Sequence, residues 1–351
     1  MRIAKSVQAL VPYTPGEQPK DKSVIKLNTN ENPYLPSPLV TKVLESYNLD
    51  RLRRYPDPVF GELRAKIAEI NKTDSARIFV GNGSDEVLTL AARAFVDDDE
   101  AIGSCDPSYS LYKTLAAIRN VPFVPSPLGP GFTWQTPVVE ANGVQVALFL
   151  LTNPNAPTSI RYPREIVSAF AKTFPGVVIV DEAYVDFADD SCMELATARD
   201  NTNVIVMRTL SKSFSLAGLR LGYCVGPEDL IEALYKVKDS YNVDALAQDV
   251  ALAALSDLPW MRANAAKVCK TREETADALR RRGWDVPKSQ SNFLFARPAH
   301  RPAAEIFEQL RRRNIFVRYF PGPNTGDRLR ITIGTDADMT SLLNALKELD
   351  K

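Results

Sequence analysis

Short runs of consecutive apolar residues, separated by amphipathic stretches, fill the middle of the chain. "VQVALFLLT" (144–152), "VVIVDE" (177–182), "NVIVMRT" (203–209) and "LGYCVG" (221–226) are rich in Val, Ile and Leu with little polar alternation. Strands buried on both faces have this pattern. Upstream, "RIFVG" predicts a further short strand ending at Gly81, and "SDEVLTLAARAF" predicts an amphipathic helix opening at Gly83 and Ser84. "PREIVSAFAKTF" has the length and period of a crossover helix. The alternation predicts an α/β domain with a mostly parallel central sheet.

The flanks differ from this core. The opening stretches "VPYTPGEQPKDK" and "NTNENPYLPSP" are proline-rich and polar and predict an extended arm over residues 1–40, of the kind that crosses onto another subunit. After residue 244 long helices follow ("DALAQDVALAALSD", "WMRANAAKVCKTREETADALRRRG"). Beyond them come "NFLFAR", a helix "AAEIFEQLRRR", strands "IFVRYF" and "RLRITIG", and a last helix "DADMTSLLNALKEL". The expected organisation is a large α/β domain over 41–245 and a smaller α+β domain over 246–351. A length of 351 residues suits two domains at roughly 150 residues each.

Lys plus Arg and Asp plus Glu number 43 each. This zero formal charge steers nothing toward nucleic acid or an anionic membrane, so a small-molecule partner is expected. The cysteines at 105, 192, 224 and 269 show neither a C-x-x-C spacing nor a disulfide framework, which predicts reduced thiols in a cytoplasmic protein. The N-terminus has no signal-peptide pattern, and no segment reaches the ~18 apolar residues of a membrane span. With His300, in the proline-flanked loop "RPAHRP", as the single histidine, a histidine-based triad or a multi-histidine metal site is nearly excluded.

In open α/β sheets, ligands bind beyond the carboxyl ends of the strands, and polar residues collect at those ends here. "GNGSDE" (81–86) joins a strand to a helix, so its backbone N–H groups could hold a phosphate; ordinary capping by Ser84 and Asp85 reads equally well. The glycines do not complete G-x-G-x-x-G, because Glu86 takes the third place, and there is no G-K-[ST] loop. Asp181 closes a very apolar strand, where a carboxylate is costly unless a cation or protonated nitrogen meets it. Tyr184 lies three residues on. In "MRTLSKSFSLAGLRLG", Lys212 stands between two serines just after an apolar strand, and Arg220 follows a Gly-Leu pair.

Together with "LNTNENP", "RYPDP", "DPSYSLY", "NPNAPT", "VDEAYVDF" and "LRITIGT", these stretches resemble the pyridoxal-phosphate-dependent enzymes of the aspartate aminotransferase fold, fold type I. Within that fold they are most similar to the histidinol-phosphate aminotransferases, over almost the whole chain. The resemblance implies that Lys212 carries the cofactor aldehyde. An ordinary lysine, with a pKa of about 10.4, is a poor nucleophile at neutral pH, so the site must keep this amine unprotonated. It also implies that Asp181 binds the pyridine nitrogen, that Tyr184 bonds the phenolic O3′, and that Tyr109 stacks on the ring. Ser84, Asp85, Ser211 and Arg220 would hold the phosphate. Tyr55 would reach it from the neighbouring subunit, which makes the expected active unit a homodimer. One position departs from the family pattern: the asparagine that usually contacts O3′ falls at Ala156, leaving Asn155 or Tyr184 alone to serve.

Arg318 and Arg330 lie on candidate adjacent strands of the small domain. The resemblance gives them the anionic end of the substrate, and Tyr13, in the arm, the role of closing over it. The expected reaction is amino transfer from histidinol phosphate to 2-oxoglutarate. The alternatives are an aromatic or broad-specificity amino acid aminotransferase, a threonine-phosphate decarboxylase of the same fold, and a non-catalytic protein that binds pyridoxal phosphate.

Overall fold

A computed structural model describes residues 2, 3, 5–8, 10, 16–19, 21 and 23–349. Its strands in chain order are β1 (Ile25–Lys26), β2 (Ile78–Gly81), β3 (Ala101–Asp106), β4 (Phe123–Pro127), β5 (Glu140–Ala141), β6 (Val144–Thr152), β7 (Val177–Asp181), β8 (Val204–Thr209), β9 (Gly222–Val225), β10 (Phe293–Ala296), β11 (Ile315–Phe316), β12 (Arg318–Tyr319) and β13 (Leu329–Thr332). The large sheet runs β2-β9-β8-β7-β6-β3-β4, with β5 hairpinned onto β6. Strands β8, β7, β6, β3 and β4 are mutually parallel, while β9 runs antiparallel to both of its neighbours.

Helices cover both faces of this sheet, and the apolar runs divide between them by strand alternation. Phe149, Leu151, Val178 and Val180 face a core shared with the helices Gly61–Asn71, Arg164–Thr173 and Ala245–Leu255. Leu148, Leu150 and Ile179 face the opposite core, with the helices Ser84–Ala94, Leu111–Arg119 and Glu228–Val237. Burying both sets removes the polar-out alternation that a one-sided sheet would show.

A second core joins β10 and β13 to the helices Leu258–Arg280, Ala303–Arg312 and Asp336–Leu349. The apolar side chains of Ala245–Leu255 pack with the large sheet, and those from Met261 onward pack with this second core. The change of core therefore falls near residue 257, later along the chain than the composition break near 245. The N-terminal segment also joins the second body, since β1 pairs in parallel with β11 and the Thr332 amide donates to the Leu27 carbonyl at 3.0 Å. "IFVRYF" is two short strands rather than one: β11 pairs with β1, and β12 pairs with β13.

Candidate active site

The carboxyl ends of β6, β7 and β8, the start of the helix Ser84–Ala94 and the edge of the small domain enclose a cavity of about 540 Å³. Ser84, Asp85, Tyr109, Asp181, Tyr184, Ser211, Lys212, Arg220, Arg318 and Arg330 all line it. Residues from both ends of the chain thus converge on one space.

One wall is a helix N-terminus. Gly83 precedes the helix with φ 81°, a conformation that favours glycine. A Cβ there would stand 2.7 Å from Arg220 Nη2, and one on Gly222 would stand 2.5 Å from the Ser84 nitrogen. The two glycines let β9, the helix start and the guanidinium close together. Arg220 donates to Asp85 Oδ2 and to Ser211 Oγ, both at 3.3 Å. The first-turn amides, the positive helix end and this arginine form a cradle for an anion.

Lys212 follows β8 in the loop between β8 and β9 and sends Nζ to the Thr29 carbonyl at 3.2 Å. Burial lowers its pKa to about 8, helped by the positive charges of Arg330 and Arg220 and opposed by Glu31 and Asp85. Asn32 pins the loop by donating to the carbonyls of Lys212 and Ser213. At the end of β7, Asp181 is almost fully buried, and burial pushes its carboxyl up to about 6. The Tyr112 hydroxyl and the Ala183 amide donate to it at 2.9 and 3.1 Å and pull the other way. The Tyr184 ring centroid lies 5.9 Å from Lys212 Nζ, and its hydroxyl accepts from Asn30 Nδ2 at 3.0 Å. The Tyr109 hydroxyl donates to Asp85 Oδ1 at 3.4 Å.

On the opposite side, Arg318 and Arg330 are directly paired across β12 and β13. Like charges facing each other in a sheet are unfavourable, and Phe320 offsets part of this: the guanidinium carbons lie 5.3 and 5.1 Å from its ring centroid. Arg330 also donates to the Asn28 carbonyl at 2.9 Å.

One expected residue is placed elsewhere, and one expected to serve the neighbouring subunit stands outside its own chain's cavity. Asn155 is fully buried and does not line the cavity. Its amide nitrogen donates to the Pro107 carbonyl and Thr158 Oγ1, and its oxygen accepts from Ser108 Oγ. With its side chain committed in this way, the expected cofactor contact from Asn155 is corrected. Tyr55 is 80% exposed, stacked on Tyr241 at 4.3 Å, and does not line its own chain's cavity. Tyr13 lies outside the described residues. Asn30, Thr152 and Tyr112 belong to the site or its support, and sequence reasoning gave them no role. The Asn30–Tyr184 contact spans 154 positions, so no local spacing signals it; "LNTNENP" marked the segment without marking the residue.

Among the described residues no helix is long and apolar enough to cross a membrane, and no group of His, Cys, Asp and Glu could hold a metal ion.

The family model "aminotransferase class I and II" matches residues 22–346. A histidinol-phosphate aminotransferase of Gluconacetobacter diazotrophicus is 43% identical over 344 residues, spanning 97% of this chain and 95% of that protein. Another from Trichormus variabilis is 39% identical over 345 residues, spanning 98% and 97%. Among solved structures, the histidinol-phosphate aminotransferase of Sinorhizobium meliloti in complex with pyridoxal-5'-phosphate matches with a TM-score of 0.89 at 25% identity, over 99% of this chain and 97% of that one. The expected fold type I is therefore met, and by the family match and the identity of these relatives the chain belongs to the class I and II aminotransferases.

Proposed function

We propose that this aminotransferase uses pyridoxal phosphate to move the amino group of histidinol phosphate to 2-oxoglutarate, giving imidazole-acetol phosphate and glutamate. The observation that carries the substrate assignment is the Arg318–Arg330 pair facing the cavity that Lys212 and Asp181 line. Two fixed cations suit a phosphate dianion and, in the second half-reaction, the carboxylates of the acceptor. An aromatic amino acid needs one arginine and an apolar pocket. The relatives at about 40% identity bear the same substrate in their names.

The residues present fit the cofactor. The first-turn amides at Ser84 and Asp85, with Ser211 and Arg220, would take its phosphate, and Asp181 would take its ring nitrogen. Tyr184 would meet O3′ and Tyr109 the ring face. Bound there, pyridoxal phosphate supplies a ring that accepts electrons from the substrate α-carbon. Lys212 would hold the cofactor through Nζ and, once freed from it, would take and return the proton at that carbon. A pKa of about 8 leaves a usable share of neutral amine at physiological pH. Asn30 holds the Tyr184 hydroxyl in place through its amide.

Leu35, in the N-terminal segment, and Leu44, Leu49, Leu52, Tyr55 and Tyr241, in the large domain, are exposed, a larger apolar display than a monomer needs. We assign this face to a homodimer contact in which Tyr55 completes the partner's cavity; a monomer in sedimentation at about 10 μM removes the assignment. With four free cysteines, three of them buried, we place the enzyme in the reducing cytoplasm.

Steady-state kinetics with histidinol phosphate and phenylalanine as donors test the substrate. The expected kcat/KM favours histidinol phosphate by about a hundredfold, the scale of one good charge-assisted hydrogen bond. A preference for phenylalanine of about tenfold or more overturns it.

A further inference from the structure

Asp181 receives a hydrogen bond from a residue outside the cavity lining. Tyr112, in the helix Leu111–Arg119, is fully buried, and its hydroxyl stands 2.9 Å from Asp181 Oδ2 and 2.7 Å from Thr152 Oγ1. A phenol has one proton to give. Burial and the nearby carboxylate push its loss far above the ordinary range, so the proton stays and must point to one neighbour or the other.

The surroundings decide which. Asn155 Nδ2 donates to the Pro107 carbonyl at 2.9 Å, an oxygen with no proton of its own, and to Thr158 Oγ1 at 3.0 Å. This fixes the amide oxygen toward Ser108, whose hydroxyl donates to it at 2.9 Å. Ser108 then has no proton left for Thr152 Oγ1, 3.4 Å away. Thr152 keeps its own proton, and its nearer acceptor is Tyr112. Tyr112, receiving from Thr152, donates to Asp181.

We propose that Thr152 and Tyr112, oriented by Ser108 and Asn155, form a one-directional hydrogen-bond relay that holds Asp181 as a carboxylate in a fixed rotamer, and that Tyr112 is thereby a positioning residue for the reaction. What the carboxylate serves rests on the cofactor reading above. A neutral Asp181 could not hold a protonated ring nitrogen, and burial drives it toward neutrality. Asp85 from the helix Ser84–Ala94 and Glu182 from its own strand end push the same way, while Lys212 and Arg220 line the same cavity as opposing charges. The Ala183 amide on Oδ1 is the other donor that favours the charged form.

Tyr112→Phe removes the hydroxyl and keeps the ring, Thr152→Val removes the upstream donor, and Thr152→Ser keeps it. Two readouts apply to apo-protein: the Asp181 carboxyl titration by carbon-13 NMR, assigned with Asp181→Asn, and fluorescence titration with pyridoxal phosphate. Tyr112→Phe is expected to raise the Asp181 midpoint by about one unit and weaken pyridoxal phosphate about tenfold near pH 7, the scale of one charge-assisted hydrogen bond. Thr152→Val moves both in the same direction by a smaller amount, about threefold in affinity, and Thr152→Ser keeps the wild-type values. A Tyr112→Phe protein with the wild-type midpoint and affinity overturns the relay. Should that variant misfold, an unchanged Thr152→Val titration overturns it. A wild type that does not bind pyridoxal phosphate defeats the functional reading instead, and the carboxyl titration still decides the relay.

Discussion

The strand-end wall of the cavity and its small-domain wall solve opposite problems. At the strand ends, Asp181, buried, and Lys212, partly buried, are groups whose charge is held near its tipping point, about 6 for one and about 8 for the other. Burial sets the balance there, opposed at Asp181 by two donated hydrogen bonds and reinforced at Lys212 by the charges of Arg330 and Arg220. On the small domain, two arginines face each other across a strand pair with an aromatic ring beside both. Their charge is permanent, and the mutual repulsion is relieved when an anion arrives. On the function proposed above, one wall would serve proton and electron traffic and the other recognition.

Substitutions should separate the two walls. The largest effect is expected from Asp181→Asn, which keeps the shape but removes the charge: kcat falls by about a hundredfold or more, read in steady-state turnover. The same variant should be more stable without cofactor. A carboxyl whose pKa rises from 3.8 to about 6 on folding stabilises the fold below its unfolded value and loses that contribution as pH rises through the folded one. Above pH 6 the charged Asp181 therefore opposes folding. The Tm of apo Asp181→Asn should exceed that of wild type at pH ~7.5, and the gap should close toward pH ~4; a wild type that is the more stable at neutral pH would contradict the burial argument.

On the other wall, Arg318→Met should raise the KM for histidinol phosphate about tenfold while kcat changes by less than about threefold. Equal losses in kcat and kcat/KM would mean that this arginine acts on the reacting atoms and would erase the division of labour.

The large sheet was legible because its strands are continuous apolar runs, and its parallel order followed from the helices between them. Strands β3 and β4 were not: Gly103 and Ser104 interrupt one, and Pro125 and Pro127 the other. Lys212, Asp181, Tyr184 and Arg220 stood out because each is a polar residue at the end of an apolar strand or in the loop that follows it. Tyr112 did not, since a tyrosine at helical spacing reads as core. Its partner Asp181 is 69 positions away, and only folding brings the two together. Asn155 was misread for the converse reason: the motif supplies an amide near the right place, and the Pro107 carbonyl and the hydroxyls of Ser108 and Thr158 use it up.

The central claim is that the Lys212 amine is the attachment point for the cofactor opposite Asp181. Reducing the purified holoenzyme with borohydride and mapping the pyridoxyl group by peptide mass spectrometry tests it most directly. The predicted result is a modified tryptic peptide running uncleaved through Lys212, from Thr209 to Arg220. A pyridoxyl group on any other lysine, with 212 cleaved normally, would contradict the account.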